Sequence, residues 1–183
     1  MNSTITLVTG GARSGKSSYA VDVAKVFSGE VVFVATAEAR DPEMSKRIDK
    51  HKVERPAHWR TFEIPLHLAA GLSRALSARS LVVVDCVTLW VTNIMLSQGV
   101  ALESINYEKA EHDVEQEIET LFDLIKSNHC SALFITNEVG MGLVPETALG
   151  RQFRDIAGRA NQIIARKADS VVLMVSGIIL KIK

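Results

Sequence analysis

The chain has 183 residues, a length that suits one domain with a sizeable core, so residues 1–183 are treated as a single domain. Apolar residues make up 47% of the chain and charged residues 23%, as in ordinary soluble globular proteins. The 21 basic residues equal the 21 acidic ones, so there is no net positive field to hold a polyanion. This balance argues against nucleic acid as the main partner.

Nothing in the sequence indicates export or a membrane span. The N-terminal stretch MNSTITLVTGG lacks a basic start, and its apolar run is too short for a signal peptide. No apolar run approaches the length that crosses a bilayer. The two cysteines, Cys86 and Cys130, have no CxxC spacing. We therefore expect a cytoplasmic protein with reduced thiols.

Five short apolar runs rich in Val and Ile alternate with stretches of helical periodicity. Continuous runs of this kind suit strands that are buried on both faces of a parallel sheet. Strands that alternate with helices predict right-handed crossovers and a three-layer α/β fold with a mostly parallel central sheet. The predicted strands are 4–9, 30–36, 80–86, 131–137 and 170–176, and the predicted helices are 16–27, 41–52, 66–77, 88–98, 103–127 and 146–168.

The first predicted strand is followed by the pattern G-x-x-x-x-G-K-[ST]. Glycines in such a loop let backbone N–H groups surround a phosphate, and the next helix adds the positive end of its dipole. Lys16 then reaches the outer phosphates, and the hydroxyl of Ser17 can ligate Mg²⁺. This P-loop predicts a nucleotide site. Its eight residues are Gly10, Gly11, Ala12, Arg13, Ser14, Gly15, Lys16 and Ser17.

The next predicted helix has Asp41 as its N-cap and Pro42 at its first position, and it carries His51. Met44, Ile48 and His51 are spaced i, i+4 and i+7, so they share one face. One interpretation is a solvated helix whose apolar stripe packs inward with His51 at its edge. The other is that the imidazole of His51 is a covalent nucleophile.

Four cations near His51 add weight to the second interpretation and leave both open. Positive charge disfavours the imidazolium form, which keeps a ring nitrogen available for attack. The same cations could bind an α-phosphate and a leaving pyrophosphate, where the charge of the transition state is largest. They are Arg47, Lys50, Lys52 and Arg55.

Three later segments carry further polar residues, and two of these segments lie at the ends of predicted strands. Asp85 ends the strand LVVVD, where a carboxylate could hold Mg²⁺ directly or through water, although an Asp at a strand end can also be structural. Asn137 and Glu138 follow the next strand, where they could contact a ligand or form a tight structural loop. On the last helix, Asp155 and Arg159 are spaced i, i+4, and simple salt-bridging is one interpretation.

A P-loop alone is shared by several classes of nucleotide-binding protein. A GTPase would usually carry N-K-x-D near a later strand, where this chain has TNEVG with Glu138 in place of the lysine. A helicase or motor protein would be longer, with further basic motifs. A small-molecule kinase and a nucleotidyltransferase remain. A nucleotide-dependent switch module fits the loop but not the surroundings of His51.

The set of motifs resembles the bifunctional adenosylcobinamide kinase/adenosylcobinamide-phosphate guanylyltransferase family of cobalamin synthesis, over essentially the whole chain. This resemblance implies a RecA-like P-loop NTPase fold and a homo-oligomer, in the form of a trimer. It also implies that ATP or GTP phosphorylates adenosylcobinamide, and that GMP then passes from GTP to adenosylcobinamide phosphate. The motifs are GGARSGKS, RIxxHKxxRPAHW, TNEVGMGLVPE, FRDIAGRANQ and the closing VSG.

The resemblance also implies site residues. His51 would carry GMP as a covalent intermediate, while His58 lies in the Pro-containing RPAHW segment, off the helix. A subunit or corrinoid contact is an alternative role for Arg154 and Arg159. A kinase without nucleotidyl transfer remains the alternative function. The implied nucleotide contacts beyond the P-loop are Ala35, Thr36, Ala37, Lys52, Val53, Glu54, Arg55, Glu63 and Asp85.

Overall fold

A computed structural model describes residues 3–39, 41–53, 55–99 and 101–183, without the side chains of Arg47, Lys50 and Leu102. Within these residues one seven-stranded sheet has the order β3-β2-β4-β5-β1-β6-β7. Neighbouring strands pair in parallel except β7, which is antiparallel to β6. The strands are β1 (Ile5–Gly10), β2 (Val31–Ala35), β3 (Arg60–Glu63), β4 (Leu81–Asp85), β5 (Ser131–Ile135), β6 (Ser170–Val175) and β7 (Ile178–Lys181).

Helices cover both faces of the sheet and complete three layers. On one face, α1 packs against β1, β4 and β5, and on the other face α3 to α6 share the larger apolar core. In that core Phe134 of β5 stacks on Phe122 of α5, with ring centroids 5.3 Å apart. No helix in the described part of the chain is long and apolar enough to cross a membrane. The helices are α1 (Lys16–Lys25), α2 (Pro42–Val53), α3 (Leu68–Leu72), α4 (Val87–Ser97), α5 (Tyr107–Ser127) and α6 (Ala148–Lys167).

All five predicted strands are confirmed, but the two edge strands were missed. Strand β3 reads RTFE, which has no apolar run, and it forms because it pairs with β2. Strand β7 follows β6 through a two-residue turn and exposes all of its side chains. Neither strand is buried on both faces, so neither carries the pattern that predicted the others.

Two helix boundaries differ from the prediction. The helix expected from residue 66 is confined to Leu68–Leu72. The helix expected from residue 103 begins at Tyr107, because the side chain of Asn106 accepts a hydrogen bond from the Lys109 N–H at 2.9 Å and caps it there. Residues 102–104 form a short 3-10 turn instead.

The register of the sheet brings the ends of its central strands together. Ala35 of β2 lies opposite Asp85 of β4, and Asp85 lies opposite Ile135 of β5. Ligands of open α/β sheets bind at the carboxyl ends of the strands. The segments that leave β1, β2, β4 and β5 therefore form one candidate site.

Candidate active site

Two glycines determine the conformation of the P-loop. Gly10 has a φ of +147°, and a Cβ placed there would lie 2.4 Å from the carbonyl oxygen of Met174 in β6. Gly15, directly before α1, has a φ of +97°. Residues that carry a side chain rarely adopt such backbone angles, so glycine is required at both positions. The glycines of the sequence pattern thus allow the loop to pass close to β6 and enter α1.

Lys16 begins α1 and is buried beneath the loop. Its Nζ donates hydrogen bonds to the carbonyl oxygen of Gly11 at 2.5 Å and to Ser14 Oγ at 3.4 Å. The ammonium group is therefore held at the loop that is expected to receive phosphate. Residues 12–18 line a polar cavity of about 720 Å³ beside it.

A second cavity of about 300 Å³ adjoins the polar one. It lies between the end of β2, one face of α2, the start of α4 and the first half of α6. Its lining is mainly apolar, which suits an organic group rather than a phosphate. We call it the apolar cavity, and its apolar lining includes Ala35, Ala37, Met44, Ile48, Leu89, Val139 and Phe153.

The two cavities meet at residues from four different elements. Ser17 comes from α1, His51 from α2 and Asn137 from the end of β5. Asp85 and Cys86 lie at the end of β4. Among the described residues these five line both cavities, and we call them the junction. The junction unites four residues that the sequence analysis selected separately, namely Ser17, His51, Asp85 and Asn137.

Helix α2 forms as predicted, but its apolar face has a different role. The Asp41 carboxylate accepts a hydrogen bond from the Met44 N–H at 2.7 Å, which confirms the N-cap. Met44 and Ile48 line the apolar cavity instead of packing into the core, and His51 lies at the junction. The inward-packing interpretation of this helix is therefore wrong.

The cations expected around His51 are described only in part. The side chains of Arg47 and Lys50, and the whole of Glu54, lie outside the described residues. Arg55 lines the apolar cavity, and its guanidinium lies 3.7 Å from the centroid of the Phe33 ring. His58 is exposed in the turn before β3 and lines neither cavity.

Several of the implied nucleotide contacts lie away from the cavities. Lys52 and Glu63 form an exposed ion pair at 2.6 Å, and Val53 is 86% exposed. Thr36 is fully buried, and its hydroxyl donates to the carbonyl oxygen of Cys86 and accepts from the Cys86 N–H, both at 2.8 Å. This arrangement makes Thr36 a support for the end of β4.

Cys86 contributes a thiol to the junction, to which His51 contributes an imidazole. Burial raises the pKa of its thiol, and the neighbouring Asp85 carboxylate raises it further. A thiol with a raised pKa stays protonated at neutral pH and is a poor nucleophile. The chemistry of the junction therefore favours His51 over Cys86 for covalent attack.

The oxygens at the junction fit Mg²⁺. Ser17 offers a hydroxyl and Asp85 a carboxylate, and both line the polar cavity. The described residues contain no group of three or more His, Cys, Asp and Glu side chains that could hold a metal without a substrate. Mg²⁺ is commonly bound by one or two protein oxygens together with substrate phosphates and water. This pair of ligands matches that preference.

The residues whose roles the sequence left open, after β5 and on α6, have different surroundings. Glu138 accepts a hydrogen bond from the Thr9 hydroxyl beside the P-loop. Arg159 pairs with Glu111 of α5 at 3.2 Å rather than with its helix neighbour Asp155. The Nε of Arg154 lies 3.8 Å from a carboxylate oxygen of Asp155. Neither Arg154 nor Arg159 lines either of the two cavities.

Sequence reasoning missed part of the apolar cavity and one buried polar network. Leu89 and Phe153 carry no chemical signal in the sequence, because they look like ordinary core residues of α4 and α6. Thr88 and Asn161 are buried polar residues inside helices, and a buried polar position is the signal that could have selected them.

This fold and this site define a P-loop NTPase. The RadB recombinase superposes with a TM-score of 0.55 at 13% identity, covering 94% of this chain and 74% of that one. A Pyrococcus horikoshii OT3 protein superposes with a TM-score of 0.58 at 9% identity, covering 100% of this chain and 87% of the other. Similarity at these identities shows the fold alone.

The chain belongs to the cobinamide kinase/cobinamide phosphate guanyltransferase family, which it matches over residues 6–182. It is 44% identical over 179 residues to the bifunctional adenosylcobalamin biosynthesis protein CobU of Salmonella typhimurium, covering 97% of this chain and 98% of that protein. It is 38% identical over 177 residues to the bifunctional adenosylcobalamin biosynthesis protein CobP of Pseudomonas aeruginosa, with 97% and 96% covered. The family resemblance seen in the sequence is therefore confirmed.

Proposed function

We propose that this chain catalyses both reactions of its family. It phosphorylates the aminopropanol hydroxyl of adenosylcobinamide from ATP or GTP, and it then transfers GMP from GTP to the resulting phosphate. The products of the second reaction are adenosyl-GDP-cobinamide and pyrophosphate. The observation that carries this proposal is the junction, where Ser17 of the P-loop, a strand-end carboxylate and a histidine line the same two cavities.

In the kinase step the acceptor hydroxyl attacks the γ-phosphorus, and its proton is lost as the nucleoside diphosphate leaves. The residues around the phosphates mainly hold and neutralise charge, and no enzyme nucleophile is needed. Lys16 supplies a buried ammonium group at the P-loop. Ser17 and Asp85 would hold Mg²⁺, which when bound neutralises charge on the β- and γ-phosphates.

In the transferase step a ring nitrogen of His51 attacks the α-phosphorus of GTP. A P–N bond forms, the bond to the β-phosphate oxygen breaks, and pyrophosphate leaves. An oxygen of adenosylcobinamide phosphate then attacks the same phosphorus, and cleavage of the P–N bond restores the histidine. His51 lines both cavities, which supports a role at the point where the donor meets the acceptor.

Two labels on GTP test this proposal directly. With α-labelled GTP, the bifunctional enzyme becomes covalently labelled and releases pyrophosphate. With γ-labelled GTP or ATP, the label passes to adenosylcobinamide. Transfer of the γ-label without labelled protein would instead identify the alternative, a P-loop kinase without nucleotidyl transfer. Slow hydrolysis with neither transfer would identify a switch module.

Asp85→Asn is expected to lower both reactions by about 100-fold or more while the protein stays folded, because a metal-binding carboxylate is lost at a strand end. Titration of the rate against Mg²⁺ measures the effect. Asp123→Asn, an exposed position on α5, is the matched control and should behave like the wild type. An unchanged rate and Mg²⁺ dependence in Asp85→Asn would reassign Asp85 as structural.

We also propose that the protein is a homotrimer and that it acts in the cytoplasm. The surface that supports an oligomer is the edge strand β7, where Ile178 is 72% exposed and Leu180 is 56% exposed. An exposed apolar edge strand is a template for association unless another surface covers it. A second copy of this chain is the partner we propose for it.

Replacing both Ile178 and Leu180 by Lys is therefore expected to lower the mass in solution from trimer toward monomer, because two charges on the edge strand oppose its burial. Light scattering coupled to size exclusion measures the mass. Val26→Lys, at another exposed apolar position beyond α1, should leave the mass unchanged. A double variant that keeps the wild-type mass would exclude β7 as the interface.

A further inference from the structure

Asn137 is a junction residue to which the proposed function gives no task. It follows β5 and lines both cavities, beside Ser17, His51 and Asp85. We propose that its side-chain oxygen accepts a hydrogen bond from the hydroxyl of the phosphoryl acceptor and orients that hydroxyl for the kinase step. The inference rests on the proposed function and adds a substrate-contacting residue to it.

The amide of Asn137 is turned so that its nitrogen faces the protein. Both its backbone N–H and its Nδ2 donate to the hydroxyl oxygen of Thr88, at 3.3 and 3.1 Å. Thr88 is buried in the first turn of α4, so this partner is held in place. Among the described residues no donor contacts Oδ1 of Asn137. Oδ1 is therefore an acceptor that a ligand can use.

The chemistry of an amide oxygen selects its partner among the groups that enter the junction. Oδ1 accepts hydrogen bonds and cannot donate them, so phosphate oxygens are excluded as partners of this atom. The acceptor hydroxyl donates, and it must come within about 3.5 Å of the γ-phosphorus to react. The purine base also carries N–H groups, but it lies at the opposite end of the nucleotide from the γ-phosphate. An oxygen beside Ser17 and Asp85 is therefore placed for the hydroxyl.

A residue of α6 holds the Asn137 segment in position. Asn161 is buried, and its Nδ2 donates to the carbonyl oxygen of Asn137 at 3.2 Å. Its Oδ1 accepts from the hydroxyl of Thr136 at 2.7 Å. The oxygen and the nitrogen of the Asn161 amide thus bond to Thr136 and Asn137, the two residues that follow β5. Asn161 acts through Asn137 and is a positioning residue.

The adjacent Glu138 is directed elsewhere. Its carboxylate accepts from the Thr9 hydroxyl, and its backbone N–H donates to the carbonyl oxygen of Gly10 at 3.2 Å. It is tied to the start of the P-loop and lines neither cavity. Asn137 therefore faces the reacting groups, whereas Glu138 supports the loop.

The test compares two rates in Asn137→Ala, because only the kinase step uses the acceptor hydroxyl. Loss of one neutral hydrogen bond predicts a fall of about tenfold in kcat/KM for adenosylcobinamide. The rate at which α-labelled GTP labels the protein without acceptor should stay within about twofold of wild type. Asn137→Leu removes the amide at similar volume and provides the same test if the alanine variant does not fold.

Two further variants separate positioning from general stability. Asn161→Ala should lower the kinase rate in the same direction by a smaller factor, with protein labelling retained. Asn128→Ala removes another side-chain amide, at the C-terminal end of α5, and should change neither rate. The Asn128 amide donates to the Leu124 carbonyl oxygen at 2.9 Å, and Asn128 lines neither cavity.

Two outcomes for Asn137 would overturn the inference. One is an unchanged kinase kcat/KM in both Asn137 variants. The other is an equal loss of kinase activity and of protein labelling, which would show that the amide contacts the nucleotide or only supports the fold. A wild-type protein that performs neither reaction would overturn the proposed function itself, and the inference with it.

Discussion

His51→Asn is expected to abolish the covalent GMP and to lower guanylyl transfer by orders of magnitude, while most of the ATP-dependent kinase activity is retained. Asparagine keeps a similar size and polarity but has no nucleophilic ring nitrogen. Phosphoryl transfer to an alcohol needs positioning and charge stabilisation from the protein, but no covalent intermediate. Labelling with α-labelled GTP and a separate kinase assay measure the two effects.

The control for His51 is its neighbour in sequence, His58. His58 is exposed in the turn before β3, so His58→Asn should keep the covalent label. The bond itself is a second check, since a phosphoramidate resists base and is cleaved by acid, unlike a serine ester. A label that persists in His51→Asn, or that peptide mass spectrometry assigns to another residue, would remove His51 from the mechanism.

Lys16→Ala is expected to lower kinase turnover by about 100- to 1,000-fold and to weaken protein labelling strongly, because a buried donor to the phosphates is lost. Lys16 begins α1 beneath the P-loop, where its ammonium contacts the Gly11 carbonyl oxygen. Lys25→Ala, at the exposed end of the same helix, is the matched control. Wild-type kinase turnover of Lys16→Ala at saturating ATP would contradict the assignment of the P-loop.

The variants together distinguish one shared site from two separate ones. Lys16 lines the polar cavity that both nucleotide reactions would use, so its loss should affect both. His51 should affect only guanylyl transfer, and Asn137 only phosphorylation of the acceptor. All three residues line the polar cavity. This pattern of losses is expected if the two reactions proceed in turn at the same junction.

Much of this protein could be predicted from contiguous stretches of sequence. Gly10 and Gly15 are required by backbone angles that the P-loop pattern already implies. The cap at Asp41 depends on a residue three positions away, and the five buried strands depend on uninterrupted apolar runs. Each of these signals is local, so it can be seen before any tertiary contact is known.

The set of motifs and their order also predicted the family, and the match of residues 6–182 to the family model confirms that prediction. The motifs did not determine where the implied contacts lie. Lys52 and Glu63 were both assigned to the nucleotide, yet in the structure they pair with each other at 2.6 Å. A motif records which residues recur together, and an ion pair between two elements is decided by how those elements pack.

The tertiary structure alone decided the junction. Asp85, Asn137 and His51 are separated by many residues in the chain, and they line the same cavities because β4 and β5 pair in register and α2 lies over their ends. The hydrogen bonds of Asn161 and the edge strands β3 and β7 likewise depend on partners remote in sequence. Local patterns specify turns, caps and buried strands, whereas contacts between distant residues form only when the whole sheet is assembled.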